Sequence, residues 1–130
     1  MSESDDLLDM AREELDQARA MADAGIVERK IWSSLYYAMF YAADAALITL
    51  GFDPRSHRGT NTLVGKELYR ERSLIGKSEA SYYSEMRRLR EDLDYSPHAV
   101  PPDRDLEQEF ERVDSFISHM DRIVKDANRS

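Results

Sequence analysis

The chain has 130 residues, no cysteine and a formal net charge of −8, and these features exclude several classes of protein. A chain of this length is expected to form one domain and to bury a substantial core. Without cysteine it has no disulfide, thiolate nucleophile or thiolate metal site, and its three histidines are too scattered to predict a zinc site. An acidic chain is also not expected to coat nucleic acid, which normally requires a basic surface. We therefore expect a single domain over residues 1–130 that uses neither a metal nor another cofactor.

The charge is unevenly distributed along the chain. Residues 1–25 carry eight acidic and two basic side chains, and residues 101–130 carry eight acidic and five basic ones. Residues 26–100 instead carry ten acidic and eleven basic side chains. This central basic charge suits a site for a small anionic group or a short stretch of RNA, and it suits a partner-binding face equally well. The apolar runs are far shorter than the ~20 residues of a membrane span, so we expect a cytoplasmic protein without membrane contact.

Apolar residues recur at helical spacing through the first half of the chain. A first helix is predicted from an N-cap at Ser4 to a stop at Gly25, and a second from about Val27 to Leu50. The second helix is predicted to be the apolar centre of the fold, because aromatic and small apolar residues occupy much of its circumference. Residues 52–59 then form a loop, as their proline and glycine content indicates.

Three further helices are predicted in the second half. A short third helix is capped at Thr60 or Asn61, and a fourth begins at about Ser78. Residues 94–102 are predicted as a loop by their prolines, and the last helix begins at Asp103. Its apolar residues alternate between spacings of four and three, as in a heptad seam: Leu106, Phe110, Val113, Ile117, Met120, Val124 and Ala127. The sequence thus predicts an all-α fold, an antiparallel up-and-down bundle of four long helices and one short helix.

Three short motifs in the central part carry the chemically active side chains. The second helix contains YYAMFYAA at residues 36–43, the following loop contains HRG at residues 57–59 with GKE at residues 65–67, and the fourth helix ends in LREDLDY at residues 89–95. In this order and spacing the motifs resemble those of HEPN domains, the higher-eukaryote and prokaryote nucleotide-binding helical bundles. The likeness is to a small prokaryotic branch with an LRxxADY signature, in which Leu93 replaces the usual alanine.

The resemblance implies a partner and an activity. Members of this branch are often encoded beside a minimal nucleotidyltransferase in a two-gene, toxin–antitoxin-type system, so we expect a homodimer with such a partner and with RNA or a nucleotide as its ligand. In toxin members the HEPN protein is a metal-independent endoribonuclease, whose signature is Arg, four to six residues, and His. That pair suits attack by an RNA 2′-hydroxyl on the adjacent phosphate, since a base removes the proton and a cation stabilises the phosphorane.

Carried onto this chain, the signature arginine corresponds to Arg90. Tyr95 stands where the histidine would be, and with a pKa of about 10 a tyrosine is a poor base at neutral pH but a good hydrogen-bond donor to phosphate. His98 lies just beyond the usual window, in the proline-bounded loop. The resemblance therefore implies that, if the protein cleaves RNA, Arg90 stabilises the phosphorane, Asp94 orients Arg90, and Tyr95 or His98 handles the proton.

Four other basic residues are predicted to bind substrate phosphate: Arg87, Arg55, His57 and Arg58. His57 lies just before a predicted helix N-terminus and has an arginine on either side, an arrangement that favours an anion.

Structural interpretations of the same residues remain open. Arg90 suits the negative end of a helix dipole and an ion pair with Asp94 or Glu91, and Tyr95 has the character of a tyrosine whose ring packs into the bundle. The tyrosines of the second helix are expected to serve as core or dimer contacts, with stacking on a base as the alternative.

Two alternative functions follow from these interpretations. The chain would be a non-catalytic helical module that presents nucleotide or RNA to a nucleotidyltransferase or inhibits it, or else a structural bundle with an unrelated partner.

Overall fold

The computed structural model describes residues 2–54 and 56–129, and it confirms the all-α bundle. The helices are α1 (Glu3–Asp23), α2 (Glu28–Thr49), α3 (His57–Leu63), α4 (Lys77–Tyr95) and α5 (Leu106–Asn128). A π-helix over Val64–Glu71 continues α3 without a break. Within the described ranges no residue lies in a β-strand. Of the helices so described, none combines the length and the apolar character that crossing a membrane requires.

The centre of the bundle is α2, as its composition predicts. It packs along α1 and also contacts α3, α4 and α5, so apolar residues on several sides of the helix are buried. Its largest fully buried side chains are Ile31, Trp32, Leu35, Tyr36, Met39 and Leu47. Burial of each large apolar side chain contributes roughly 1.5–3 kcal/mol to folding. The heptad positions of α5 face this helix, and they are buried from Phe110 to Val124.

Several helix ends differ from their predicted positions because another capping residue is used. The N-cap of α1 is Ser2, which accepts a hydrogen bond from the Asp5 amide at 3.1 Å. The predicted cap, Ser4, is instead buried inside the helix, where its hydroxyl is hydrogen-bonded to the Thr49 hydroxyl at 2.7 Å. Ser2 and Ser4 both suit an N-cap by residue type, and contacts with another helix determine which of them takes that role.

The third and fifth helices show the same effect. The N-cap of α3 is Ser56, whose hydroxyl accepts from the Gly59 amide at 3.0 Å, rather than Thr60 or Asn61. Thr60 is buried and donates to Asp44 Oδ1 at 2.6 Å. The N-cap of α5 is Asp105 in place of the predicted Asp103. Because α3 starts earlier than predicted, His57 lies in its first turn. This position brings His57 to the site described below.

The C-terminal end of α4 is closed by Arg29 of α2. The Arg29 guanidinium donates hydrogen bonds to the carbonyls of Leu93, Ser96 and Ala99, the last at 2.8 Å. The final carbonyls of a helix have no partner within the helix, so this side chain supplies donors that the backbone lacks. Arg29 thereby holds the end of α4 and the residues that follow it against α2.

Arg29→Ala is expected to lower the free energy of unfolding by about 2 kcal/mol, because hydrogen bonds from a charged donor to part-buried carbonyls are lost. Urea denaturation followed by circular dichroism measures the change. Arg12→Ala is the matched control: Arg12 forms a partly exposed ion pair with Asp121 at 2.7 Å, and its loss is expected to cost less than about 1 kcal/mol. Equal effects of the two substitutions would contradict the role assigned to Arg29.

Candidate functional site

Arg90 of α4 packs against the aromatic residues of α2. Its Cζ lies 5.2 Å from the centroid of the Tyr36 ring and 5.9 Å from that of Tyr37. The side chain is only 11% exposed. A guanidinium placed over two aromatic rings gains cation–π attraction, which is stronger where water is excluded. The rings therefore fix the position of this charge.

The Arg90 guanidinium uses few of its hydrogen-bond donors within the described part of the chain. Nη1 donates to Asp94 Oδ2 at 3.4 Å, a long hydrogen bond, and the buried Nε has no partner among the described residues. Burial works to lower the pKa of Arg90, but Tyr37 and the hydrogen bond to Asp94 outweigh it, and the net pKa is raised. The guanidinium is thus fully charged, and its terminal nitrogens retain N–H donors for an anion, as phosphate recognition requires.

His57 of α3 contacts the same group of aromatic residues on α2. Its ring stacks on Phe40 with centroids 4.1 Å apart and meets the edge of Tyr37 at 5.6 Å. Its Nδ1 lies 3.4 Å from the Tyr36 hydroxyl oxygen. Burial of the ring, followed by the positive charge of Arg90, lowers the pKa of His57 below 6.5. The imidazole is therefore neutral at neutral pH, although the residue as a whole remains exposed to solvent.

We call Tyr36, Tyr37 and Phe40 the aromatic platform. It joins Arg90 of α4 to His57 of α3, two residues that lie 33 positions apart in the sequence. The sequence predicts the tyrosines of this helix as core or dimer contacts, with stacking on a base as the alternative. Their spacing does carry a signal, because residues i and i+4 lie on the same face of a helix and two adjacent tyrosines widen that face.

The two residues predicted to handle the proton, Tyr95 and His98, are both exposed to solvent. Tyr95 is 78% exposed, so the interpretation that its ring packs into the bundle is wrong. Its hydroxyl is the smallest of the influences that raise the pKa of Arg90, so it lies near that guanidinium. His98 lies in an exposed turn, and it makes no hydrogen bond, ion pair or ring contact in the described part of the chain. The structure thus brings Asp94, Tyr95 and His57 to Arg90, and leaves His98 outside this group.

The predicted phosphate-binding residues border a cleft that begins at His57. Arg58 and Arg87 line this cleft, which lies between α3 with its π-helix and α4. Arg87 also forms an ion pair with Glu91 at 3.2 Å. Arg55 lies outside the described residues. Over residues 2–54 and 56–129, no group of three His, Asp or Glu side chains is placed to hold a metal ion.

Comparison with known proteins gives the chain relatives along nearly all of its length. The family model described as the HEPN domain matches residues 4–129. A UPF0332 protein of Gloeobacter violaceus is 42% identical over 66 residues, which cover 51% of this chain and 52% of that protein. A UPF0332 protein of Archaeoglobus fulgidus is 38% identical over 78 residues, or 60% of each chain. One of Thermotoga maritima is 22% identical over 120 residues, which cover 92% of this chain and 89% of the relative. The chain thus spans about half the length of the first of these relatives and 60% of the second.

Proposed function

Because the chain belongs to the HEPN domain family, we propose that it is a metal-independent endoribonuclease of a toxin–antitoxin-type pair. The observation that carries the proposal is the aromatic platform, which holds a charged guanidinium with spare donors beside a neutral imidazole. These are the two groups that cleavage of RNA through its 2′-hydroxyl requires. The family resemblance adds a homodimer and a minimal nucleotidyltransferase as its partner protein.

In the proposed reaction His57 is the general base and Arg90 stabilises the phosphorane. His57 removes the proton of an RNA 2′-hydroxyl as the O2′–P bond forms, and Arg90 donates hydrogen bonds to the non-bridging oxygens. The P–O5′ bond then breaks, and the departing 5′-oxygen takes a proton from water. The products are a 2′,3′-cyclic phosphate and a 5′-hydroxyl end. Asp94 orients Arg90, and Tyr95 donates a hydrogen bond to the same phosphate.

The hydrogen bonds around Tyr36 favour one tautomer of His57. The Tyr36 hydroxyl lies within 3.4 Å of Asn61 Oδ1, to which it donates. The Tyr36 oxygen is then left to accept the proton of His57 Nδ1, also at 3.4 Å. In this tautomer Nε2 carries the free lone pair and is the atom that accepts the 2′-hydroxyl proton.

The test is cleavage of an end-labelled single-stranded RNA by the purified protein in excess EDTA. The proposal expects cleavage, a 2′,3′-cyclic phosphate on the 5′ fragment, and no cleavage of the matching 2′-fluoro RNA, which lacks the nucleophile. Absence of cleavage over a range of RNA sequences and protein concentrations would reject the nuclease. Cleavage that depends on an added divalent ion would reject the mechanism.

Tyr95→Phe is expected to slow cleavage by about 2- to 10-fold, because one neutral hydrogen bond to the phosphate is lost. His98→Ala is expected to leave the rate unchanged, since His98 makes no contact with Arg90 in the described part of the chain. Both rates are measured with saturating RNA in EDTA. A greater loss with His98→Ala than with a substitution of His57 would move the base to the loop after α4.

A specific observation favours the alternative of a non-catalytic binding module. Tyr95 occupies the position where the nuclease signature of the family has histidine. In that case the site binds RNA or a nucleotide and presents it to the nucleotidyltransferase. Arg90→Ala would then weaken binding of the ligand or the partner, with no cleavage to lose.

A further inference from the structure

A cleft of about 610 Å³ runs from the candidate catalytic site along α4. His57 lies at one end of it, and Arg87 with Glu91 lines it on α4. This volume falls within the roughly 300–1,000 Å³ typical of small-molecule sites. The cleft has space for a group of nucleotide size next to the imidazole.

One wall of the cleft has an unusual backbone. Val64 and Gly65 line it, and both belong to the π-helix of Val64–Glu71. π-Helical segments are rare, and they occur frequently at functional sites. A Cβ added at Gly65 would meet no heavy atom within 4 Å, so the glycine leaves open space at this wall. Val64 lies beside it with its side chain buried, so the open space at this wall is at Gly65.

The cleft also holds a buried polar group without a partner. Tyr83 lines the cleft and is 2% exposed, and its hydroxyl has no hydrogen-bond partner in the described part of the chain. It lies near the Tyr36 hydroxyl without completing a hydrogen bond to it. A buried hydroxyl without a hydrogen-bond partner destabilises the folded protein. A ligand with a polar edge would satisfy Tyr83, and the neighbouring Asn61 and Ser84 offer further donors and acceptors.

The charges in the cleft favour an anion. Arg58 and Arg87 line it, against the single carboxylate of Glu91. The Arg87–Glu91 ion pair is partly exposed and contributes little to stability, so a phosphate can replace the carboxylate at low cost. The open wall at Gly65, a polar edge and two arginines together match the base and the phosphate of one nucleotide.

We infer that this cleft seats one unpaired nucleotide of the substrate next to the scissile phosphate. The base lies at the open wall beside Gly65, with its polar edge toward Tyr83, and the phosphate beyond it lies at Arg58 and Arg87. Because a base can enter a cleft only when it is unstacked and unpaired, the substrate is single-stranded RNA and not a duplex. The inference rests on the proposed nuclease function and specifies the class of its substrate.

The test uses Gly65→Leu, which places a leucine side chain in the cleft, and Ser81→Leu as the control, which places a leucine at an exposed position of α4 outside the cleft. Binding is measured by fluorescence polarisation with a labelled single-stranded 2′-fluoro RNA, which cannot be cleaved through its 2′ position. Gly65→Leu is expected to weaken binding about tenfold, in line with the loss of one seated base. Ser81→Leu is expected to bind as the wild type does. Wild-type protein is also expected to cleave single-stranded RNA at least about tenfold faster than the matching duplex, since a base of the duplex must first be unpaired and unstacked.

Binding and cleavage separate this inference from the nuclease proposal. If Gly65→Leu binds and cleaves as the wild type does, or if the duplex is cleaved as fast as the single strand, the inference is overturned while the nuclease stands. If the wild type binds the 2′-fluoro RNA through Gly65 but cleaves no RNA, the cleft stands and the nuclease proposal fails.

A second variant tests the inference even if Gly65→Leu does not fold. The double substitution Arg58→Gln and Arg87→Gln is expected to reduce the slope of log binding constant against log salt by about two, one for each lost phosphate contact. An unchanged slope would show that Arg58 and Arg87 do not contact phosphate, and would overturn that part of the inference.

Discussion

Arg90→Ala is expected to lower the rate of RNA cleavage by about 100- to 1,000-fold, as removal of a single donor that stabilises charge in the transition state does in other enzymes. The charge that develops on the phosphorane is greatest at the non-bridging oxygens, and Arg90 is the cation that the aromatic platform holds in place. The rate is measured in EDTA with RNA in excess, so that binding and chemistry are separated. Loss of the rate at saturating RNA, and not only of affinity, identifies a contribution to the transition state.

Arg88→Ala is the matched control for this prediction. Arg88 belongs to the same helix and carries the same charge, but it is exposed to solvent. Its removal is expected to leave the rate at saturating RNA unchanged and to weaken RNA binding slightly. Arg90→Lys adds a test of geometry, because lysine keeps the charge but lacks the planar fork that donates to two oxygens. A loss in Arg88→Ala equal to that in Arg90→Ala would show that general electrostatic attraction, and not a placed guanidinium, supports the reaction.

The fold was predictable from sequence because its main determinant is the pattern of apolar residues. The heptad spacing of α5 implies burial of one face, and the apolar circumference of α2 implies burial on several sides. Both are found, with the heptad positions of α5 buried from Phe110 to Val124. Helix ends were less predictable. Ser2 and Ser4 are both suitable caps by residue type, and the choice depends on the contact of Ser4 with Thr49 on another helix. Such a contact between distant residues leaves no local trace in the sequence.

The π-helix was also not predictable from the sequence. Over the eight residues of Val64–Glu71, the apolar positions do not distinguish a π-helix from an α-helix. Two hydrogen bonds within and directly after the segment accompany this backbone. The Arg70 side chain donates to the Gly65 carbonyl at 3.3 Å, and the Leu68 carbonyl accepts from the Leu74 amide at 2.8 Å. These bonds join residues only five and six positions apart, and no pattern of residue types in the sequence indicates them.

The candidate site was only partly predictable. Arg90 and its pairing with Asp94 follow from the LREDLDY motif, because residues i and i+4 face each other on a helix. The proximity of His57 does not follow from any motif. It depends on the stacking of His57, in the first turn of α3, on Phe40 of α2. Helix α2 also contacts α4, which carries Arg90. The family signature lies along one helix and has Tyr95 at the position where a base is expected. In the tertiary structure, the imidazole near Arg90 is that of His57, from another helix.

His57→Gln is expected to lower the rate of RNA cleavage by about 100- to 10,000-fold, the range typical of general acid–base catalysis. Glutamine keeps a polar side chain of similar reach but cannot accept a proton at neutral pH. Because burial and Arg90 lower the pKa of His57 below 6.5, the wild-type rate is expected to rise with pH through an apparent pKa below 6.5 and to level off by neutral pH. The residual rate of His57→Gln is expected to lack that rise. A wild-type profile that falls over this range would mean that the protonated form acts, and that His57 is not the base.

The coupling between His57 and Arg90 has a consequence that does not depend on cleavage. Arg90→Ala removes the positive charge that, after burial, lowers the pKa of His57, so this pKa is expected to rise toward 6.5. The shift is measured by following the imidazole Hε1 resonance of His57 through a pH titration, and Arg88→Ala is expected to leave the curve unchanged. A pKa that rises in Arg90→Ala alone would establish that the two groups act on each other across the aromatic platform. An unchanged pKa would separate them, and the proposed pairing of base and phosphate-binding cation would then be wrong even in a protein that cleaves RNA.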